Sequence, residues 1–167
     1  MYSDTITLFC RREDKQKNVT WYPYTLHGVH LNMDTAAIVA KYGAESQDSV
    51  ALNIRYTAVK NAVVGQSIVG ATTAGTAEAK AKLVCGKQWL PPKEWQRQTD
   101  EDTITFTSGQ KFDFFCVGTW GGESPIDDSA YGVDGFYDWM NAKNDYVYAI
   151  TSVAMYTVIP HFEIMAK

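Results

Sequence analysis

Three histidines, three cysteines and one acidic loop hold most of the chemistry this chain could perform. His161 and Glu163 are two apart in a strand pattern, so their side chains leave the same face. A His–Glu pair at that spacing can pass a proton, and Cys116 is the thiol such a base would activate. No oxyanion-hole pattern or orienting residue accompanies them, so a structural hydrogen-bonded pair is the plainer reading. His27 and His30 stand three apart on a strand, which puts them on opposite faces; only a bulge would let them share a metal. Glu123, Asp127 and Asp128 could hold a hard cation, yet they lack the alternating ligands of a calcium loop. Cys10, Cys85 and Cys116 are widely spaced and include no CxxC. Cys10 and Cys116 follow apolar strand residues and read as small buried hydrophobes. No GxSxG, phosphate loop or dinucleotide fingerprint is present. The sequence predicts a protein that is not an enzyme, with no metal and no cofactor.

The bulk of the chain fits a single β-rich globular domain. Its 167 residues suit one domain with a core of its own. The 10 Tyr, 7 Phe and 5 Trp tilt the class toward β structure. The net charge of −4 argues against nucleic-acid recognition. The one basic cluster, Arg11, Arg12, Lys15 and Lys17, is interrupted by Glu13 and Asp14 and reads as a solvated turn. An odd number of cysteines points to a reducing compartment. No basic-then-apolar leader and no long apolar run are visible, so synthesis in the cytoplasm and no membrane are expected.

The elements that must position these residues follow from periodicity. Strands are expected at 5–9 and 19–31, joined by a turn over 11–18, with the second strand broken at Pro23 and Gly28. Asp34 caps a helix over 34–42 that Gly43 stops, with Ala37, Ile38 and Tyr42 on one face. Residues 49–56 alternate Val50, Leu52, Ile54 and Tyr56 inward. From 57 to 87 aromatics vanish, and Ala, Val, Gly and Thr dominate, which predicts a long excursion from the core. A short helix opens at Pro92 and covers 92–97, with Trp89 and Trp95 packing. Strands 103–107 and 111–118 read as a hairpin through Ser108-Gly109-Gln110. Residues 119–132 are loop chemistry, and 134–142 form a helix with Phe136, Trp139 and Met140 inward. A final hairpin pairs 146–153 with 156–165. The expected core includes Leu8, Val50, Leu52, Ile54, Phe114, Val117, Ile150 and Val158. The fold class is mainly β: one small barrel or sandwich over 1–167, with a few short helices and one long loop.

Two resemblances sharpen this. A strand, a basic turn and a Trp-bearing strand leading into LNMD (31–34) resemble the opening of head–tail connector proteins of the head-closure type from tailed phages. WLPPKEW (89–95), DFFCVG (113–118), DGFYDWMN (134–141) and the close YAITSV…YTVIPHFEIMAK resemble an uncharacterised family of phage and prophage structural proteins, over about 4–56 and 87–167. The resemblance implies a virion structural protein of the neck. It would form a homo-oligomeric ring between the portal or an adaptor and the tail proteins, close to packaged DNA. Such a ring needs a lumen loop, and Val63, Val64, Gly65, Ile68, Val69, Gly70 and Gly75 are its candidates. It also needs a docking loop, for which Trp120, Glu123, Ile126, Asp127, Asp128 and Tyr131 are the candidates. A tail-completion or terminator protein stays within this class. The other alternative is an aromatic-rich β-sandwich that decorates capsids or binds carbohydrate.

Overall fold

The computed structural model describes residues 2–60 and 80–167. Its strands are β1 (Asp4–Glu13), β2 (Val19–Asn32), β3 (Val50–Arg55), β4 (Thr57–Lys60), β5 (Lys80–Val84), β6 (Lys87–Trp89), β7 (Thr103–Ile104), β8 (Phe114–Val117), β9 (Ile126–Asp127), β10 (Val147–Tyr156) and β11 (His161–Ala166). Helices are α1 (Thr35–Tyr42), α2 (Pro92–Arg97) and α3 (Gly135–Lys143), with single 3-10 turns at Ala44–Ser46 and Asp128–Tyr131. The larger sheet runs β1-β8-β10-β11-β3-β2-β9, and β1 also pairs β2. Six antiparallel strands therefore close into a cycle, the connectivity of a small barrel, with β9 appended to β2. The first and last strands both belong to it. A second sheet, β4-β5-β6-β7, is antiparallel except for its β6–β7 pair.

Side-chain parity explains two apolar clusters in one domain. Ile6, Leu8 and Cys10 of β1, Leu26 and Val29 of β2, Leu52 and Ile54 of β3, Phe115 of β8 and Phe162 and Ile164 of β11 fill the first. Val84, Leu90, Trp95, Ile104 and Phe106 join it from the smaller sheet and its connections. The alternate residues Phe9 of β1 and Phe114 and Cys116 of β8 enter the second cluster, with Trp21, Ile126, Phe136 and Met140. Both faces of β1 and β8 are thus covered, and Ile6 through Cys10 are all buried.

Local signals place several elements where the sequence puts them. The Asp34 carboxylate accepts from the amides of Ala36 and Ala37, and the Gly43 amide closes α1 on the Val39 carbonyl. The helices over 92–97 and 135–143 agree within a residue. Val50, Leu52, Ile54 and Tyr56 are all buried.

Other expectations are corrected. β1 runs on to Glu13, so the turn is Asp14–Asn18 and Arg11 and Arg12 lie on a strand. β2 is continuous through Gly28, which forms a bulge at φ +69° opposite the Asp4/Thr5 step. Strand β2 has no second neighbour at Pro23 among the described pairings, as a proline strand requires. Residues 103–107 and 111–118 do not pair as a hairpin: β7 joins β6, whereas β8 joins β1 and β10. The 57–87 excursion begins and ends in ordered strands, with Thr57 opposite Leu83 and Lys60 opposite Lys80. Its Ala81 and Val84 are buried. Ala37 is exposed, leaving Ile38 as the buried anchor of α1. Val117 ends β8 and is 43% exposed; Val158 sits in the turn between β10 and β11 and is 96% exposed. Period-two parity holds only while neighbouring strands continue.

Candidate functional site

The residues that could carry catalysis are separated by the sheet. Cys116 pairs with Val147 at one end of β10, and His161 pairs with Tyr156 at the other. At about 3.3 Å per residue that interval is on the order of 30 Å. His161 instead stacks on the Tyr156 ring at 4.8 Å, and its Nδ1 lies 2.7 Å from the Ile159 carbonyl oxygen. Glu163 is buried on the outer side of β11, where its carboxylate accepts from the Lys41 ammonium and the Tyr42 hydroxyl. Its work is to hold α1 on the sheet. Burial pushes the Cys116 thiol up, away from the thiolate a nucleophile needs. The Cys116–His161–Glu163 constellation is not assembled.

The Gly28 bulge reverses the expectation for His27 and His30. One extra residue shifts the parity, so both now lie on the outward side of β2, with Val29 inward between them. His27 sits 3.1 Å from the Thr5 hydroxyl, and the His30 ring lies 6.0 Å from that of Tyr2. Among the described residues no group of three or more His, Cys, Asp or Glu side chains is placed to hold a metal.

The predicted docking loop does come together, as the lid of the second cluster. Asp128 Oδ1 accepts from the Trp21 indole at 2.7 Å and from the Phe136 amide at 2.8 Å. It therefore fastens β2 to the start of α3. Gly135 is required there: at φ +89° its missing Cβ would stand 2.7 Å from the Asp128 carboxylate. Asp127 caps the following turn through the Ser129 amide and hydroxyl. The Trp120 indole donates to the Glu123 carbonyl at 2.9 Å, and the Tyr131 hydroxyl to the Glu123 carboxylate at 3.1 Å. Ile126 is fully buried opposite Trp21, so it is an anchor of the lid and not a docking residue. The sequence signal for this arrangement was the density of turn formers next to aromatics; Trp21, the partner that ties the loop to β2, lies more than 100 residues from Asp128 and was not readable.

Trp120, Trp139 and Met140 border a surface cavity of about 510 Å³ with Val117, Lys143 and Tyr146 on its rim. The tryptophan rings are already engaged. Trp120 meets Phe9 and Phe136 edge to face, while Trp139 holds Phe136, Tyr131 and the Lys143 ammonium. None of the five tryptophans is exposed. The lumen-loop candidates Val63, Val64, Gly65, Ile68, Val69, Gly70 and Gly75 lie outside the described residues.

Among the described residues, the β10–β11 hairpin carries the densest run of exposed large apolar side chains. Met155, Tyr156, Val158 and Ile159 at its end are all exposed large apolar side chains. No sequence reading singled it out as a site, although its lack of charge was visible.

A closed antiparallel sheet with an aromatic lid and an exposed apolar hairpin defines a mainly β, single-domain protein. The whole chain, residues 1–167, matches the family of unknown function DUF6751, and the chain belongs to that family. No curated protein and no solved structure matches it.

Proposed function

We propose that this chain is a non-catalytic structural protein of the virion neck, a homo-oligomeric ring that closes the filled head and receives the tail. Support comes from the resemblance of its opening strands to head-closure connectors and of most of its length to phage structural proteins. The observation in the fold that carries the reading is the β10–β11 hairpin, where exposed Met155, Tyr156, Val158 and Ile159 stand on an otherwise closed β body. Exposed apolar patches on such a body mark protein contacts. The aromatic lid offers a second, more polar face through Glu123 and Asp127, both exposed. A tail-completion role would use the same two faces.

The test is negative-stain imaging of the purified protein, alone and mixed with portal and tail proteins of tailed phages. Closed rings that join either neighbour are the expected result. A monomer that binds neither would end the reading. Binding to immobilised glycans would instead support the decorating module, although the occupied tryptophan faces speak against it.

A further inference from the structure

An unpaired strand edge, exposed apolar side chains and absence of charge coincide in the β10–β11 hairpin. β8 covers β10 only from Val147 to Ala149. From Ser152 to Tyr156 the sole strand neighbour of β10 among the described residues is β11, and at the far end of this stretch the Tyr156 carbonyl accepts from the Tyr56 hydroxyl at 2.8 Å. An antiparallel strand with one neighbour turns alternate N–H and C=O groups outward, a template for another strand. Of the eight exposed large apolar side chains among the described residues, four fall between 155 and 159: Met155 44%, Tyr156 46%, Val158 96% and Ile159 73%. Residues 146–162 contain no Asp, Glu, Lys or Arg. The β1–β2 hairpin is the contrast, with Arg11, Arg12, Glu13, Asp14, Lys15 and Lys17 in and beside its turn. Proteins blunt strand edges with charge or proline; from 151 to 159 this edge has neither.

We propose that the β10 edge at 152–156, with the apolar tip at Met155–Ile159, binds a second copy of this chain by strand addition. Main-chain hydrogen bonds accept any strand, so side chains choose the partner. A charged peptide or nucleic acid would meet no countercharge along residues 146–162 and would leave its own charges poorly solvated against the apolar tip. A copy of this chain brings an edge equally free of charge, so no register sets like charges opposite one another. The net charge of −4 sets a weak overall repulsion between copies, and a contact through the uncharged face adds no local like-charge cost to it. Pairing of two identical edges is two-fold and closes at a dimer, so a ring needs a second contact besides this one, and the inference rests on the ring reading only in that both require self-association.

The experiment is sedimentation velocity on the full chain over a wide concentration series, for wild type, Met155→Lys/Ile159→Asp, and Lys15→Asp as a control on the other hairpin. The altered side chains are exposed, and far-UV circular dichroism with a melting curve checks that each variant folds. Self-association of wild type and the control, weakened at least 100-fold in the double variant, is expected. Concentration-dependent slowing of amide exchange at 152–156 in wild type gives a second readout independent of the variants. A ring lost in the double variant supports both the inference and the ring reading. A dimer lost in the double variant supports the inference and sinks the ring. A ring that persists in the double variant overturns the inference and leaves the ring. A wild type that stays monomeric throughout overturns both.

Discussion

Asp113 places a carboxylate where the fold can least hydrate it. The side chain is fully buried, with Oδ1 accepting from the Arg11 amide at 2.8 Å and Oδ2 from the Thr107 amide at 2.9 Å. Its own amide donates to the Thr107 carbonyl, and its carbonyl accepts from the Ile150 amide. One residue thus ties β1, the segment after β7, and β10. Burial pushes the carboxyl up to about 7, against the two amides that pull it down. In the unfolded chain the group titrates near ~3.9. Between those values the folded state holds the proton and the unfolded state does not, so stability falls as pH rises through this window and levels off above it. Asp113→Asn should remove that part of the pH dependence, seen as a smaller difference between urea midpoints at pH 5 and pH 8. It should also cost about 1–3 kcal/mol at pH 5, because an NH2 group then faces a backbone donor. An unchanged pH dependence would show that the carboxyl does not titrate there. The corrected core gives a companion test: Ile54→Ala and Ile150→Ala should each cost about 2–5 kcal/mol. Val158→Ala, in the exposed turn, should stay within about 0.5 kcal/mol. A large loss at Val158 would mean the turn packs against something in the monomer.

At the scale of elements, the short helix α2 is held by one cation. The Arg12 guanidinium lies 4.6 Å from the Tyr22 ring centre and 4.0 Å from that of Trp95, and it donates to the Trp95 carbonyl at 3.2 Å. Gln96 adds a bond from its amide nitrogen to the Arg11 carbonyl. Arg12→Lys keeps the charge but loses the flat stacking surface, so it should lower stability by about 1–2 kcal/mol. A thermal melt checks the loss, and faster proteolysis near 92–97 would locate it. Melting indistinguishable from wild type would show that the sandwich is incidental. The sequence made α2 legible through Pro92, but Arg12 read as part of a solvated turn. That contrast is general in this fold. Asp34, Gly43 and Pro92 act on neighbours within four residues, so their effects were readable. The TITFT segment and the strand of Phe114 carry equally clear patterns, yet their partners were set by distant strands and the hairpin between them does not form. Gly28 looked like a break because a bulge and a break share the same residue; only the pairing with β1 separates them. The acidic loop was legible as a unit, but its role as lid depends on Trp21, more than 100 residues away. The apolar hairpin tip looked like core because periodicity does not show where neighbouring strands end.

At the scale of the molecule, the smaller sheet decides which part of the excursion the fold can spare. β4 and β5 pair from Thr57–Leu83 to Lys60–Lys80, and β5 carries β6, which in turn aligns β7. Val84, Leu90, Ile104 and Phe106 bring this unit into the main cluster beside Phe162. Removing 60–84 would take away β5 and leave the main cluster without Val84, so that deletion should not yield a folded monomer. Removing 61–79 and joining Lys60 to Lys80 through Asn-Gly keeps every described pairing, since a two-residue turn can close an antiparallel pair. This second protein should fold cooperatively with a melting temperature close to wild type. If the ring reading is right, particles assembled with it should lose DNA or fail to join tails, because the residues assigned to the lumen are gone while the docking faces remain. A 61–79 deletion that unfolds would place the segment in the monomer's own stability. Particles that package DNA and infect normally with it would make the segment dispensable, and the proposed neck function would then have to rest on the hairpin and the lid alone.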